Sequence, residues 1–415
     1  MTGSDTDSGG GASGTRSPGA PPSPSAPGRD VLTGFGYSGL VTWAWFIYGF
    51  GAALPLLREE QGTSRTVMGM HSLCMSMGAM VAGILVLPLV RRFRRRGTSR
   101  IGALVLCAGT VLLCLADRPQ ISLVAVLLVG VGGASLVNSV SPALTEHHGR
   151  ASAGVLSEGN AVASSVGLLA PLCVGLAHGL GWTWRPAIAL VLLLAALVLL
   201  LSGKVPARTP ALDAAPPPAA RDTGSLPLSF WLILGMVVAA VGVEFACTSW
   251  AADLLHQRTG LSSGAASAGL TTVVAGMAVG RFTTGLLSRT FSTLRLLKIS
   301  VLLTAVGWAL AWVSTHPAPA LFGFVLLGLG LAGQYPLGLS LVFSAAGPHR
   351  DRASGILSIY VGAGAALTPF LLGAVADASS THTAFLAVPI MLGVGILLLF
   401  LSRGPSDRSP VSAGG

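Results

Sequence analysis

Residues 128–132 read Leu-Val-Gly-Val-Gly and residues 326–330 read Leu-Leu-Gly-Leu-Gly, so the same spaced pair of glycines returns 198 positions later. The register extends outward through glycines, a proline and loop aromatics that random apolar sequence would not keep aligned. The further matched pairs are Leu56 with Leu254, Leu57 with Leu255, Gly62 with Gly260, Gly78 with Gly276, Phe93 with Phe291, Pro171 with Pro369 and Gly175 with Gly373. The sequence therefore predicts two copies running in the same direction, related by an axis along the membrane normal.

The composition is that of a membrane protein. The 415 residues are 52% hydrophobic and 10% charged, whereas soluble domains are about 25% charged. Windows of about 20 apolar residues mark the expected membrane spans. They lie near 35–57, 67–90, 101–116, 121–144, 154–178, 184–202, 229–252, 265–288, 297–314, 319–345, 354–376 and 383–402. We therefore expect an all-α membrane protein with twelve transmembrane helices in two six-helix halves.

The polar segments divide the chain into domains. Residues 1–33 are rich in Gly, Ser, Pro and Asp, which predicts a disordered tail. The proline-rich segment 204–227 predicts the loop between the halves. The two six-helix bundles are accordingly expected over 34–203 and 228–402, with a second tail over 403–415.

The positive charges are distributed unevenly along the chain. If the N-terminus is cytoplasmic, 20 of the 25 Lys and Arg residues lie in cytoplasmic tails, loops or helix ends, as the positive-inside rule describes. The exceptions are Arg58, Arg65, Arg118, Arg185 and Arg258. A phosphate-binding basic patch is the alternative for the arginine-rich loop after the second helix. The excess of Arg over Lys is typical of GC-rich bacterial genomes, so we expect a multi-pass protein of a bacterial inner (plasma) membrane with no nucleic-acid partner.

That arginine-rich loop resembles a signature of the major facilitator superfamily of secondary transporters. The family's loop between helices two and three has the core Asp-Arg-x-Gly-Arg-Arg, and residues 91–96 here read Arg-Arg-Phe-Arg-Arg-Arg. Arg91 replaces the acid and Arg94 replaces the glycine, so the family's latch between that acid and cationic partners is not carried over. The candidate residues of this cytoplasmic motif region are Arg91, Arg92, Phe93, Arg95 and Arg96, together with Arg281 at what resembles the family's ordinary end of helix eight.

The resemblance covers residues 34–402 and implies a fold of two six-helix bundles that transports by alternating access. Residues 170–175 read Ala-Pro-Leu-Cys-Val-Gly, which matches part of a helix-five pattern of drug-exporting members. Because Pro369 and Gly373 repeat the proline and glycine in the second copy, this pattern is also consistent with an architectural role. It gives weak support for resemblance to the bacterial drug and metabolite efflux members.

Two carboxylates fall inside predicted membrane helices, where an ionised group costs several kcal/mol unless it faces a cavity or a partner. Glu244 matches Phe46 of the first copy, so the fold does not require an acid there. Desolvation favours its neutral form, so Glu244 is a candidate for proton coupling, with a structural hydrogen bond or substrate contact as alternatives. Glu158 is the second candidate, for a proton or a cationic substrate, but it is also placed to snorkel to the cytoplasmic interface.

Polar and aromatic residues inside the spans are candidates for a substrate cavity. The resemblance implies that helices one, four, seven and ten line the central pathway. The cavity candidates are Trp45, Tyr48, Asn138, Asn160, Gln334 and Tyr335. The alternative is that aromatic residues mark interfacial belts and that Asn and Gln bridge helices. For Trp250, near the outer end of its helix, we expect the belt.

Other patterns predict no catalytic or cofactor site. Residues 328–333 fit G-x-G-x-x-G but lie inside a membrane helix with no preceding strand, so nucleotide binding is not expected. His147 and His148 are neighbours and are expected to face different ways, so no metal site is predicted. The chain carries no P-loop or nucleophile elbow, and its five cysteines have no paired spacing. We therefore expect no cofactor, no metal and no enzymatic activity.

The function that these features favour is proton-coupled export of a small organic molecule, such as a drug or secondary metabolite. The expected partners are that small molecule, protons and the lipid bilayer, and the chain is expected to act as a monomer. Proton-coupled uptake of a sugar or other nutrient is one alternative, because Asn, Gln, Tyr and Trp also suit sugars. A receptor-like or scaffold membrane protein that does not transport is the other.

Overall fold

A computed structural model describes residues 29–206, 209–213, 225–347 and 349–402. Within these ranges the regular structure is entirely helical. The α-helices are α1 Val31–Gln61, α2 Arg65–Leu115, α3 Pro119–His148, α4 Ser152–Gly167, α5 Leu169–Gly179, α6 Arg185–Lys204, α7 Pro210–Asp213, α8 Leu228–Thr259, α9 Ser263–Leu287, α10 Thr293–Val313, α11 Pro317–Ala346, α12 Arg350–Ala378, α13 Thr381–Ala384 and α14 Ala387–Leu401. A short 3-10 turn, Gly149–Ala151, joins α3 to α4.

The helical segments account for twelve membrane crossings. Eleven segments in the described ranges are long and apolar enough to span, and α2 supplies two crossings. Its 51 residues would extend about 77 Å at 1.5 Å each, more than twice the hydrocarbon thickness of about 30 Å. The predicted all-α fold with twelve helices in two halves is confirmed.

The turn inside α2 is made at Arg94, where φ is 62° and ψ is 170°. This backbone region is essentially restricted to glycine. Arg94 stands where the signature loop that this segment resembles has glycine, so a residue that is strained in this conformation occupies the turn. The helix direction reverses here without an intervening coil.

A second interruption divides the predicted span 154–178 into α4 and α5. Pro171 has no N–H to donate to the carbonyl of Gly167, so the helical hydrogen-bond ladder is interrupted at this point. The two pieces together still form one apolar crossing, Gly154–Gly179.

The repeated glycines bring helices into backbone contact at equivalent places in both halves. A Cβ on Gly78 or Gly130 would overlap a backbone carbonyl oxygen of the facing helix, Leu127 or Met75 respectively. Gly276 and Gly328 show the same relationship between α9 and α11. Small residues allow this approach, and it replaces the hydrophobic effect as a source of helix association in lipid.

The two halves meet mainly on one side of the molecule. We call this the far side; it carries Gly62 and Gly260, the left-handed C-caps of α1 and α8 (φ 60° and 69°). The opposite face, which carries Asp30 and Ser402, is the termini side. On the far side α5 packs on α9 through Gly175, where a Cβ would lie 2.6 Å from the carbonyl oxygen of Gly264.

The predicted polar segments fall largely outside the described residues. Of the expected tails, 1–33 and 403–415, only residues 29–33 are described, and α1 already begins within them at Val31. Of the expected loop 204–227, the described parts are 204–206, 209–213 and 225–227. Within this loop α7 packs its Leu212, which is fully buried, against the first bundle.

Candidate functional site

An acidic and a basic side chain face each other in the middle of the second bundle. Glu244 lies halfway along α8 and Arg281 lies on α9, with 3.6 Å between Glu244 Oε1 and Arg281 Nη2. Their side chains are 20% and 35% exposed. Charged groups at membrane depth persist where they face a cavity or a partner, and each member of this pair has the other as its partner.

Arg281 also reaches across to the first bundle. Its Nη1 donates to Ser164 Oγ at 2.6 Å and to the Tyr48 hydroxyl at 3.3 Å. Placing Arg281 in the cytoplasmic motif region was wrong, because α9 continues to Leu287 and keeps Arg281 inside the membrane span. The guanidinium thus links α9 of the second half to α1 and α4 of the first.

Two tyrosines complete this arrangement. The ring of Tyr48 packs against α4, where a Cβ on Gly167 would lie 2.7 Å from it. Tyr335, on α11, lies within electrostatic range of Glu244 and is 37% exposed. We call Glu244, Arg281, Tyr48, Ser164 and Tyr335 the central cluster. The sequence did not single out Ser164, because serine is common in membrane helices, where its hydroxyl usually bonds to the backbone of its own helix.

Two predicted cavity residues are instead helix contacts. Trp45 donates from Nε1 to the carbonyl oxygen of Ala187 at 3.0 Å, which joins α1 to α6. Gln334 donates from Nε2 to Thr304 Oγ1 at 2.7 Å, which joins α11 to α10. Both side chains are buried within a single bundle. The alternative of helix bridging therefore holds for Gln334, and Trp45 lies neither in the expected cavity nor in the alternative, an interfacial belt.

The remaining polar candidates lie toward the termini side. Glu158 forms an ion pair with Arg29, just before α1, and both side chains are about half exposed. This placement matches the interfacial alternative for Glu158 and separates it from the central cluster. Asn160 donates to the carbonyl oxygen of Leu156 in its own helix at 2.8 Å. Asn138 is exposed on α3.

The arginine loop binds the beginning of the segment between the halves. Arg95 contacts Glu146 and donates to the carbonyl oxygen of Ala211 at 2.5 Å. Arg96 donates to the carbonyl oxygen of Val205 at 2.8 Å, and further bonds from Arg96 and Arg100 hold Ser202. These cations satisfy carbonyl groups at the end of α6, where the helix dipole favours positive charge.

The other members of the arginine loop point to solvent. Arg91, Arg92 and Phe93 are exposed. The Arg92 guanidinium lies 5.8 Å from the centre of the Phe93 ring.

A buried carboxylate on the far side joins the two halves, although the sequence pattern did not predict it. Asp253 is 1% exposed; its Oδ1 lies 3.2 Å from Arg58 Nη2, and its Oδ2 lies 3.3 Å from Arg65 Nε. Both arginines belong to the first bundle. Gln257 and Thr381 donate to the same carboxylate at 2.9 and 2.5 Å. The predicted span ended at residue 252, one position short of it.

Further bonds close the same side. The Asp377 carboxylate accepts from the backbone N–H groups of Arg65 at 2.8 Å and Thr66 at 2.7 Å, so a residue of the second half caps α2 of the first. Ser263 donates to Glu59 at 2.8 Å. We call these contacts together with Asp253 the far-side gate.

Trp250 lies beside the gate and not in a membrane-interface belt. It is fully buried and donates to the carbonyl oxygen of Pro369 at 3.1 Å. The expectation of an interfacial tryptophan was therefore wrong. The hydrogen bond is made to the carbonyl of the repeated proline, so this residue ties α8 to α12 within the second bundle.

Among the described residues one group of three side chains has the geometry of metal ligands. It consists of Asp30, His147 and His148, whose ligand atoms lie within 4.8 Å of one another. The sequence predicted no metal site at the two histidines. That prediction did not include Asp30, which precedes α1 and is distant in sequence.

The chain forms two six-helix bundles that are joined to each other on the far side. A partly exposed charge pair lies further inside, and this arrangement is typical of a membrane transporter. The sequence pattern of the Major Facilitator Superfamily matches residues 35–251 and 232–415. An uncharacterised MFS-type transporter of Yersinia pestis is 26% identical over 362 residues, which covers 84% of this chain and 91% of the relative. The chain therefore belongs to the Major Facilitator Superfamily of secondary transporters.

Solved structures show the same fold. A bacterial homologue of the human lysosomal transporter Spinster, in an inward-facing and occupied conformation, superposes with a TM-score of 0.73 at 17% identity, covering 92% of this chain and 97% of that one. A mutant peptide transporter, POT, in complex with alafosfalin superposes with a TM-score of 0.72 at 14% identity, covering 90% and 94%.

Proposed function

We propose that this chain is a proton-coupled transporter that exports a small organic molecule by alternating access, with Glu244 and Arg281 as the coupling pair. The observation that carries the proposal is the position of Arg281, which faces Glu244 at 3.6 Å and also bonds to Ser164 and Tyr48 of the other bundle. A change of charge at Glu244 is therefore transmitted to a contact between the halves.

The energy of the pair is large enough for this role. Two unit charges 3.6 Å apart attract by about 5 kcal/mol at an effective dielectric constant of about 20, and the partial exposure of Arg281 reduces this figure. A potential of 100 mV supplies about 2.3 kcal/mol per charge. Protonation of Glu244 removes this attraction, so Arg281 is left with its bonds to Ser164 and Tyr48 and becomes available to an acceptor on the cargo; loss of the proton restores the attraction.

The arrangement of the two sides fits a state that loads from the cytoplasm. The far-side gate is closed by bonds between the halves, while Glu244, Arg281 and Tyr335 keep partial exposure. The arginine loop lies on the termini side, which the positive-inside rule assigns to the cytoplasm. We infer an inward-open form in a bacterial inner membrane, multi-pass, with both termini cytoplasmic and with the chain acting as a monomer.

The cargo follows from the groups that face the opening. The ring of Tyr335 and the guanidinium of Arg281, which keep partial exposure, suit an organic molecule that has an apolar or aromatic body and an acceptor or single negative charge. The partial drug-exporter pattern at residues 170–175 adds support for export.

The test is transport into everted vesicles that contain the chain. On imposing an inside-acid gradient, we expect accumulation of at least one compound from a panel of aromatic organic anions and neutral amphiphiles. Glu244→Gln should abolish the gradient-dependent part. Glu158→Gln is the matched control, because Glu158 pairs with Arg29 away from the central cluster, and it should retain accumulation. Full gradient-dependent accumulation by Glu244→Gln would refute the coupling pair, and uptake only in right-side-out vesicles would refute export.

A further inference from the structure

Three side chains that bind metals meet at the termini side of the first bundle. Asp30 is the N-cap residue of α1, and His147 and His148 are the last two residues of α3. One ligand atom from each lies within 4.8 Å of the others. The group lies far along the membrane normal from the central cluster, so it does not belong to the transport site.

We propose that Asp30, His147 and His148 bind a divalent transition-metal ion of the zinc type, with one position open to water. Two imidazoles and one carboxylate form a three-ligand set that such ions accept, with metal–ligand bonds of about 2.0–2.2 Å. Ligand atoms around a tetrahedral ion then stand about 3.3 Å apart. His147 Nε2 and Asp30 Oδ2 are 2.8 Å apart, so this pair needs to separate by only about half an ångström.

The surroundings hold two of the three ligands in place. Thr33 donates from its backbone N–H and its hydroxyl to Asp30 Oδ1, at 3.0 and 2.9 Å, which leaves Oδ2 directed to His147. The same hydroxyl lies 2.9 Å from His148 Nε2. Outer partners of this kind orient metal ligands and are worth 10–100-fold in affinity.

An unsatisfied atom in the group is an independent sign of a missing ligand. His148 is 3% exposed, and its Nδ1 has no hydrogen-bond partner. A buried polar atom left unpaired costs about 1–3 kcal/mol. A metal on one ring nitrogen, with Thr33 bonded to the other, uses both nitrogens of this histidine.

The group is also accessible. A cavity of about 230 Å³ adjoins it and provides both an entry path and room for a water ligand. The cavity is lined by Asp30, Val31, Leu32, His147, Val205, Pro206 and Thr209. Val205, Pro206 and Thr209 belong to the segment between the halves, so an ion that joins the start of α1 to the end of α3 would lie beside this segment.

The experiment is a titration of the tag-free, full-length chain in detergent with Zn²⁺ after removal of bound metals, followed by calorimetry. We expect one saturable site per chain. His147→Ala and Asp30→Asn should each weaken binding at least tenfold; asparagine keeps the N-cap bond to Thr33. The control is His316→Ala, a histidine on the far side, which should leave binding unchanged.

A second measurement reports coordination geometry. Titration with Co²⁺ should give visible absorption bands of a four-coordinate ion, which His148→Ala abolishes. Thr33→Val, which leaves all three ligands in place, should weaken Zn²⁺ binding about tenfold through loss of orientation and keeps the test valid if a ligand variant fails to fold. The proposal would be overturned if the folded wild-type chain showed no saturable Zn²⁺ binding. It would also be overturned if the variants of Asp30, His147 and His148 all bound Zn²⁺ as tightly as the wild-type chain.

Discussion

Asp253→Asn should weaken the closure of the far-side gate. The wild-type carboxylate is buried and receives two arginines from the other bundle. Asparagine keeps the size of the side chain and removes the charge that both guanidinium groups face. Breaking a buried ion pair by removing one partner costs about 3–5 kcal/mol. Arg58 and Arg65 are 17% and 26% exposed, so water recovers part of this cost.

We therefore expect the closed far side to lose about 2–3 kcal/mol relative to the open one, a shift of roughly 30- to 150-fold in the equilibrium. The shift favours opening because the arginines regain full hydration only when the halves separate. The stability of each bundle should change less, since the lost ion pairs lie between the halves and the asparagine oxygen still accepts a hydrogen bond from within the second bundle, where Gln257 and Thr381 are the donors.

The assay is a distance measurement between spin labels at Arg118 and His316, equivalent positions on the far side of the two copies. Both are exposed N-cap residues, of α3 and α11, whose side chains make no cap bond. In a background without the five native cysteines, Asp253→Asn should add a population at longer distance. Asp117→Asn, an exposed far-side acid, is the control and should not. An unchanged distance distribution in Asp253→Asn would refute the gate.

Three further predictions concern packing, strain and the central cluster. Gly130→Ala should lower the unfolding temperature and the yield of folded protein, because its Cβ meets the carbonyl oxygen of Met75, whereas Gly83→Ala, with no atom within 4 Å of its Cβ, should be tolerated. Arg94→Gly should raise the unfolding temperature, because glycine relieves a backbone strain of about 1–3 kcal/mol. Arg94→Ala keeps the strain and should not raise it. A higher unfolding temperature for Arg94→Ala than for Arg94→Gly would show that the backbone is not strained. Arg281→Lys should reduce transport at least tenfold with little change in unfolding temperature, because a lysine cannot bond to both bundles and face Glu244 at once; full transport would count against its bridging role.

The fold was predictable from the sequence because its determinants are local or periodic. Span length follows from hydropathy, and the close helix contacts follow from glycines that repeat in register. Gly78 and Gly276 each require a facing backbone, which the structure supplies at Leu127 and Val325. Such positions depend on residue size alone.

The site was only partly predictable because it depends on the angle between helices. Glu244 is conspicuous as an acid in an apolar segment. Arg281 lies near the end of its helix, where a cation is expected to snorkel, and only the crossing of α9 with α4 brings its guanidinium to Ser164. Asp253 likewise resembles an ordinary helix end, although it is buried by residues from the other half. The prediction that Trp45 lines the cavity was wrong, because spacing along a helix shows which side chains share a face but does not show what that face contacts.

The repeat separates these groups from the scaffold in a way that bears on mechanism. Glu244 and Arg281 correspond, 198 positions earlier, to Phe46 and Gly83. Phe46 is fully buried and stacks on Phe50, with 5.4 Å between ring centres, so the first bundle holds an apolar contact where the second holds its acid. The titratable charge of the pair therefore belongs to one bundle, and the other contributes neutral hydrogen-bonding groups. Under the proposed coupling, a proton taken up by Glu244 changes the contact between the halves without any ionisation in the first bundle. Gradient-dependent accumulation in everted vesicles should therefore be abolished by Glu244→Gln but only weakened by Tyr48→Phe.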